Sequence, residues 1–118
     1  VRAYETIYAV VEAVKRGDSD IVRCLLRAGA QLTVQATERT GGCGMESTTS
    51  VSPLAEALVE RRTDIAAVLV EAHTDLAHDP GYHVTSTFEG NVSKTVLQLA
   101  EELHDDALTA AIRSKLQA

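Results

Sequence analysis

The stretch Ser52-Pro53-Leu54-Ala55-Glu56-Ala57-Leu58 decides the fold that the sequence predicts. Its apolar residues recur at the spacing of one helix face, and Pro53 suits the first turn of a helix. A second helical pattern runs from Thr63, the predicted N-cap, to Ala72. The stretch 52–72 therefore predicts two short helices joined by a tight turn.

This helix pair is repeated along the chain. At an offset of 44 residues, 10–14 align with 54–58, and at an offset of 43, 52–54 align with 95–97. In the first copy, Ile21, Val22, Leu25 and Leu26 are predicted to face the core. The predicted organisation is one domain with units at about 6–32, 52–76 and 95–118, and with finger insertions at about 33–51 and 74–94.

The repeated stretches resemble ankyrin repeats, whose first helix opens Thr-Pro-Leu-His-x-Ala and whose turns carry glycine. Residues 52–57 are a near copy of that opening, and 17–32 are similar to the second half of the motif. Arg61 and His104 replace the usual glycine between the helices. The resemblance implies an all-α repeat solenoid, an ankyrin-like stack of about three helix-turn-helix units with extended β-hairpin or loop fingers. The long period leaves other helical solenoids, such as HEAT or armadillo repeats, as the alternative.

Charge and composition exclude several functional classes. The chain has 17 acidic and 11 basic residues, a net charge of −6, which argues against nucleic-acid binding. No apolar run is long enough to span a membrane, and the first residues do not resemble a signal peptide. Two cysteines cannot form a disulfide framework. We therefore expect an intracellular, cytoplasmic protein, with the nucleus not excluded.

Three groups of residues could carry chemistry, and each has a simpler interpretation. Glu12 and Glu56 occupy equivalent helix positions, but stacked helices lie too far apart for two carboxylates to share a proton. His73, His78 and His83, with nearby aspartates, resemble a metal cluster, yet Pro80-Gly81 interrupts any regular element between them. Cys43 lies among glycines and has no visible base to activate its thiol. We predict no catalytic residues, no metal and no cofactor.

The resemblance to ankyrin repeats implies a concave binding surface made of inner helices and finger tips. We expect a non-enzymatic interaction module, an adaptor or scaffold, that binds a protein or peptide of mixed charge rather than a small-molecule substrate. The alternative is a regulatory or assembly domain of a larger enzyme or channel subunit. The predicted partner-binding residues are Lys15, Arg16, Glu12, Val59, Glu60, Glu56, Glu102, Leu103, Tyr82 and Phe88.

The fingers are predicted to serve recognition rather than folding, because their residues are small and polar. Tyr82 and Phe88 are the exceptions. Their rings either anchor a partner or fold back onto their own repeat.

Overall fold

The computed structural model describes residues 3–33, 35–42, 45–87 and 90–117. Within these ranges, helices and strands follow in the order α1 (Ala3–Arg16), α2 (Ser19–Arg27), β1 (Ala36–Gly42), β2 (Met45–Val51), α3 (Pro53–Val59), α4 (Thr63–Ala72), β3 (Tyr82–Ser86), β4 (Gly90–Lys94), α5 (Val96–Glu102) and α6 (Asp106–Gln117). A short 3-10 turn, Leu76–His78, lies between α4 and β3.

The helices form two layers. Helices α1, α3 and α5 pack side by side in one layer, and α2, α4 and α6 form the other. Each helix of the first layer packs on the helix that follows it in the chain. We call the side of α1, α3 and α5 that borders the strands the inner face.

Side-chain caps fix where most of the helices begin. Asp18 accepts a hydrogen bond from the Ile21 amide at the start of α2. Ser52 caps α3 ahead of Pro53, and Thr95 forms a capping box with Gln98 at the start of α5. The predicted cap by Thr63 is wrong, because α4 begins at Thr63 itself and has no side-chain cap.

The turns within the three helix pairs share one backbone conformation. Gly17, Arg61 and His104 have φ values of +74°, +59° and +58°. This left-handed region is open to glycine but costs other residues roughly 1–2 kcal/mol. Arg61 and His104 therefore adopt the glycine conformation at a cost that the packing on both sides must offset.

The prediction of an all-α repeat solenoid is wrong. The four strands form one antiparallel sheet in the order β1-β2-β3-β4, which pairs the two predicted fingers with each other through β2 and β3. The molecule is thus an α/β structure, in which about 21% of the described residues lie in strands and about 55% in helices. Pairing of β2 with β3 gives hydrogen-bond partners to backbone N–H and C=O groups that would lie unpaired at the edges of two separate hairpins.

The base of the sheet belongs to the hydrophobic core. Ala36, Val51, Tyr82 and Lys94 are partners in one row across the four strands. Ala36 and Val51 are buried, and Tyr82 packs against the core. The expectation that the fingers contribute little to folding is therefore wrong for this row.

The middle helix pair is the most deeply buried. Leu54 and Leu58 of α3 and Ile65 and Leu69 of α4 have almost no exposed surface. In α2, by contrast, only Val22 is buried, and Ile21 is 48% exposed. The predicted core face of α2 is therefore wrong for Ile21, whereas Val22 is buried and Leu25 and Leu26 pack against the core.

Candidate functional site

The inner face has a groove between α3 and α5, closed at one end by the sheet. Leu58 and Leu99 lie at its base and are nearly buried, whereas Val59 is 42% exposed and Leu103 is half-buried. Tyr82, from β3, supplies an aromatic wall. The groove has a volume of about 220 Å³ above this apolar base.

Charged side chains form the rim of this groove. Lys94 Nζ lies 2.8 and 3.1 Å from the two carboxylate oxygens of Glu102, and both residues line the groove. Arg61 lines it too, and among the described residues it makes no ion pair. The rim therefore carries two cations against one carboxylate.

A second, smaller cavity of about 30 Å³ lies where α1 and α3 meet the first hairpin. Glu56 lines it and is only 5% exposed. Lys15 Nζ lies 2.6 Å from Glu38 Oε1 on the same cavity wall. Lys15 is thus already paired within the chain.

Burial raises the pKa of Glu56 to about 7, and the nearby Glu60 and Glu38 add to the rise while Lys15 opposes it. The hydrogen bond with Glu38 raises the pKa of Lys15. A carboxyl group that titrates near neutrality could act as a general acid or base. The cavity is too small for a substrate, since small-molecule sites typically occupy about 300 to 1,000 Å³.

The structure brings some predicted binding residues together and separates others. Val59, Glu102, Leu103 and Tyr82 meet in the groove, and Lys15 and Glu56 meet in the smaller cavity. The other predicted residues that are described, Glu12, Arg16 and Glu60, are exposed and line neither space. Phe88 and Cys43 lie outside the described residues.

Sequence reasoning missed Arg61 as a groove residue. The sequence did contain a signal that could have identified Arg61, because Arg61 occupies a position where the repeat motif has glycine. The left-handed backbone conformation of Arg61 holds its charged side chain at the edge of the groove.

The three histidines bind different partners. His73 is buried and lies 2.9 Å from Asp79. His78 lies 2.6 Å from Asp75 on the surface, and that carboxylate raises the pKa of His78. His83 contacts Ser93 Oγ and the Pro80 carbonyl. Within the described part of the chain, no three histidine, cysteine or acidic side chains are grouped to hold a metal ion.

His73, Asp79 and Ser52 are the residue types of a hydrolase triad, but they are connected differently. Ser52 Oγ donates to Asp79 Oδ1 at 2.6 Å, and the histidine binds the other oxygen of that carboxylate. A nucleophilic serine needs the histidine as its base. This cluster instead joins the start of α3 to the end of α4 and to the loop before β3.

No family model, curated protein or solved structure matches this chain. The resemblance to ankyrin repeats remains a prediction from the sequence. Among the helices in the described ranges, none is both long and apolar enough to cross a bilayer.

Proposed function

We propose that this chain is a non-enzymatic protein-interaction module whose groove between α3 and α5 binds an apolar side chain of a peptide partner. The observation that carries the proposal is the groove itself. Its apolar base and charged rim gather Val59, Leu103, Tyr82 and Glu102 in one place.

The size of the groove favours a single anchoring side chain. About 220 Å³ is below the range typical of small-molecule sites. Val59 is among the most exposed large apolar side chains described. Interface hot spots gain most of their binding energy in this way, when an exposed apolar residue and an aromatic wall become buried against one side chain of the partner.

The charges suggest which residues flank that anchor. Arg61 and Lys94 outnumber Glu102 at the groove, which favours a carboxylate next to the apolar side chain. On the α1 side, two exposed carboxylates, Glu12 and Glu60, outnumber the exposed Arg16, and Lys15 is paired with Glu38. Basic residues of the partner would be favoured there, so a peptide of mixed charge fits the whole inner face.

The exposed, unpaired thiol of Cys24 supports a reducing, intracellular location for this function.

A random peptide library displayed on phage tests the proposal. We expect selected peptides to share an apolar residue beside an acidic one. Val59→Glu and Leu103→Glu should each weaken binding of a selected peptide by about ten-fold or more. Val92→Glu is the matched control, because Val92 is 39% exposed on β4 and does not line the groove.

Peptides that bind the Val59→Glu protein as tightly as the original would contradict the proposal. So would a selection that yields no peptide with an apolar anchor. Arg61→Glu tests the charge argument separately. It should weaken the binding of peptides that carry the acidic residue. It should leave unchanged the binding of peptides in which that acidic residue is replaced by its amide.

A further inference from the structure

Helix α2 has an apolar stripe that the described structure leaves largely exposed. Ile21 is the most exposed of the large apolar side chains described, and Cys24 and Ala28 beside it are also exposed. Leu25 is half-buried, because it packs in part against the hydrophobic core. We call Ile21, Cys24, Leu25 and Ala28 the α2 stripe.

Ile21, Cys24 and Ala28 face away from the other helices, and Leu25 lies where the stripe meets the core. At about 100° per residue, its four members fall on one side of α2. Arg23 and Leu26 lie on another side, where they line a shallow cavity with residues of α4, and Arg27 lies between that cavity and the stripe. The stripe therefore forms an end surface rather than part of the contact with α4.

The charges beside the stripe are self-complementary. Asp20 lies near the N-terminus of α2 and Arg27 at its C-terminus, on the same flank of the stripe. The side chain of Asp20 is 92% exposed and lies 4.0 Å from Arg23, and Arg27, which is exposed, makes no ion pair among the described residues. When two such helices pack antiparallel about a two-fold axis, Asp20 of each lies level with Arg27 of the other.

We infer that this chain forms a two-fold symmetric dimer in which α2 packs antiparallel against α2 of a second copy. Ile21 then packs between Leu25 and Ala28 of the second copy, and the two Cys24 residues lie near the axis. Parallel packing would place Asp20 against Asp20 and is disfavoured.

The dimer is expected to be weak. A helix of nine residues is about 14 Å long, so the contact is small for a protein interface. The self-association must therefore be measured at high protein concentration, from about 10 µM to about 1 mM.

Sedimentation equilibrium of the chain under reducing conditions tests the inference. We expect reversible dimerisation that Ile21→Glu weakens by about ten-fold or more. Val92→Glu is again the control, because it adds the same charge at a similarly exposed apolar position on β4 and should leave the association unchanged. A protein that stays monomeric at the highest concentration, or a dimer that Ile21→Glu leaves intact, overturns the inference.

Charge reversal tests the antiparallel arrangement. Asp20→Arg and Arg27→Asp should each weaken the dimer, and the two changes in one chain should restore it, because the reversed charges again lie opposite each other. A double variant no better than the single ones would contradict this geometry. In a Cys43→Ser background, a short bismaleimide should cross-link two chains through Cys24, and a further Ile21→Glu change should suppress the cross-link.

Discussion

His73 Nε2 lies 2.9 Å from Asp79 Oδ2, and both side chains are almost completely buried. The Asp75 amide donates to His73 Nδ1 at 3.3 Å, so the proton is on Nε2 and is donated to Asp79. The other oxygen of Asp79 accepts from Ser52 Oγ at 2.6 Å and from the Gly81 amide at 2.8 Å. One carboxylate thus satisfies three donors from three segments of the chain.

Asp79→Ala should lower the free energy of unfolding by about 3 kcal/mol, because it leaves buried donors without an acceptor. Urea denaturation measures the loss. Asp75→Ala is the matched control, since Asp75 pairs with the exposed His78 and its removal should barely move the midpoint. Equal losses in the two variants would show that the buried pair has no special role.

Glu56 predicts a pH dependence of stability. The pKa of this carboxyl group is about 7 in the folded protein, against an ordinary value of 4.5, because burial disfavours the charge. The folded protein therefore binds more protons than the unfolded chain between these two values. The contribution of Glu56 to stability is complete below pH 4.5 and is lost as the pH rises through about 7.

Glu56→Gln removes this titration and keeps the size of the side chain. Relative to the original protein, the variant should gain about 2 kcal/mol in unfolding free energy between pH 5 and pH 8. Urea midpoints at the two pH values give the difference. Val59→Ala, a change without a titratable group on the same helix, should shift both midpoints equally. If Glu56→Gln also shifts both equally, the carboxyl group does not titrate in this range.

The helices could be predicted from the sequence, because a helix depends on neighbouring residues. The spacing of Leu54, Ala57 and Leu58, with Pro53 in the first turn, located α3 closely, and the second helical pattern located α4. The sheet could not be predicted in the same way. Pairing of β2 with β3 joins Thr49 to Val84 across 35 residues, and no local pattern specifies that register.

The candidate site was predictable only in part, for a similar reason. The resemblance to ankyrin repeats implied that Val59 and Leu103 belong to the binding surface, and both line the groove. It could not show that Lys15 is paired with Glu38 of β1 or that Glu56 is buried beneath the hairpin, because both facts depend on where the sheet docks. The prediction that Lys15 and Glu56 are both available to a partner was therefore too simple.

The middle helix pair should control stability. Leu69 is fully buried in α4, which packs on α3 and lies between α2 and α6. Leu69→Ala should cost about 2 to 5 kcal/mol in unfolding free energy through lost contacts and a new cavity. Arg113→Ala removes an exposed ion pair with Glu101 and should cost within about 0.5 kcal/mol. Denaturant midpoints that fall equally would contradict this order.

Gly81 should tolerate no side chain, because two constraints coincide there. Its φ is +72°, and a Cβ built on it would lie 2.5 Å from the carbonyl oxygen of Lys94. Its own carbonyl accepts from the Ser52 amide, so the backbone cannot move without disturbing the start of α3. Gly81→Ala should therefore cost about 2 to 4 kcal/mol in unfolding free energy.

Gly29→Ala separates the two constraints, since Gly29 has a φ of +88° but no atom within 4 Å of the position that a Cβ would occupy. It should show only the backbone cost of about 1 kcal/mol. Thermal or urea unfolding of both variants gives the comparison. Equal losses would mean that the close approach of Gly81 to Lys94 adds nothing, and that the chain can shift there without loosening the contact between β3, β4 and α3.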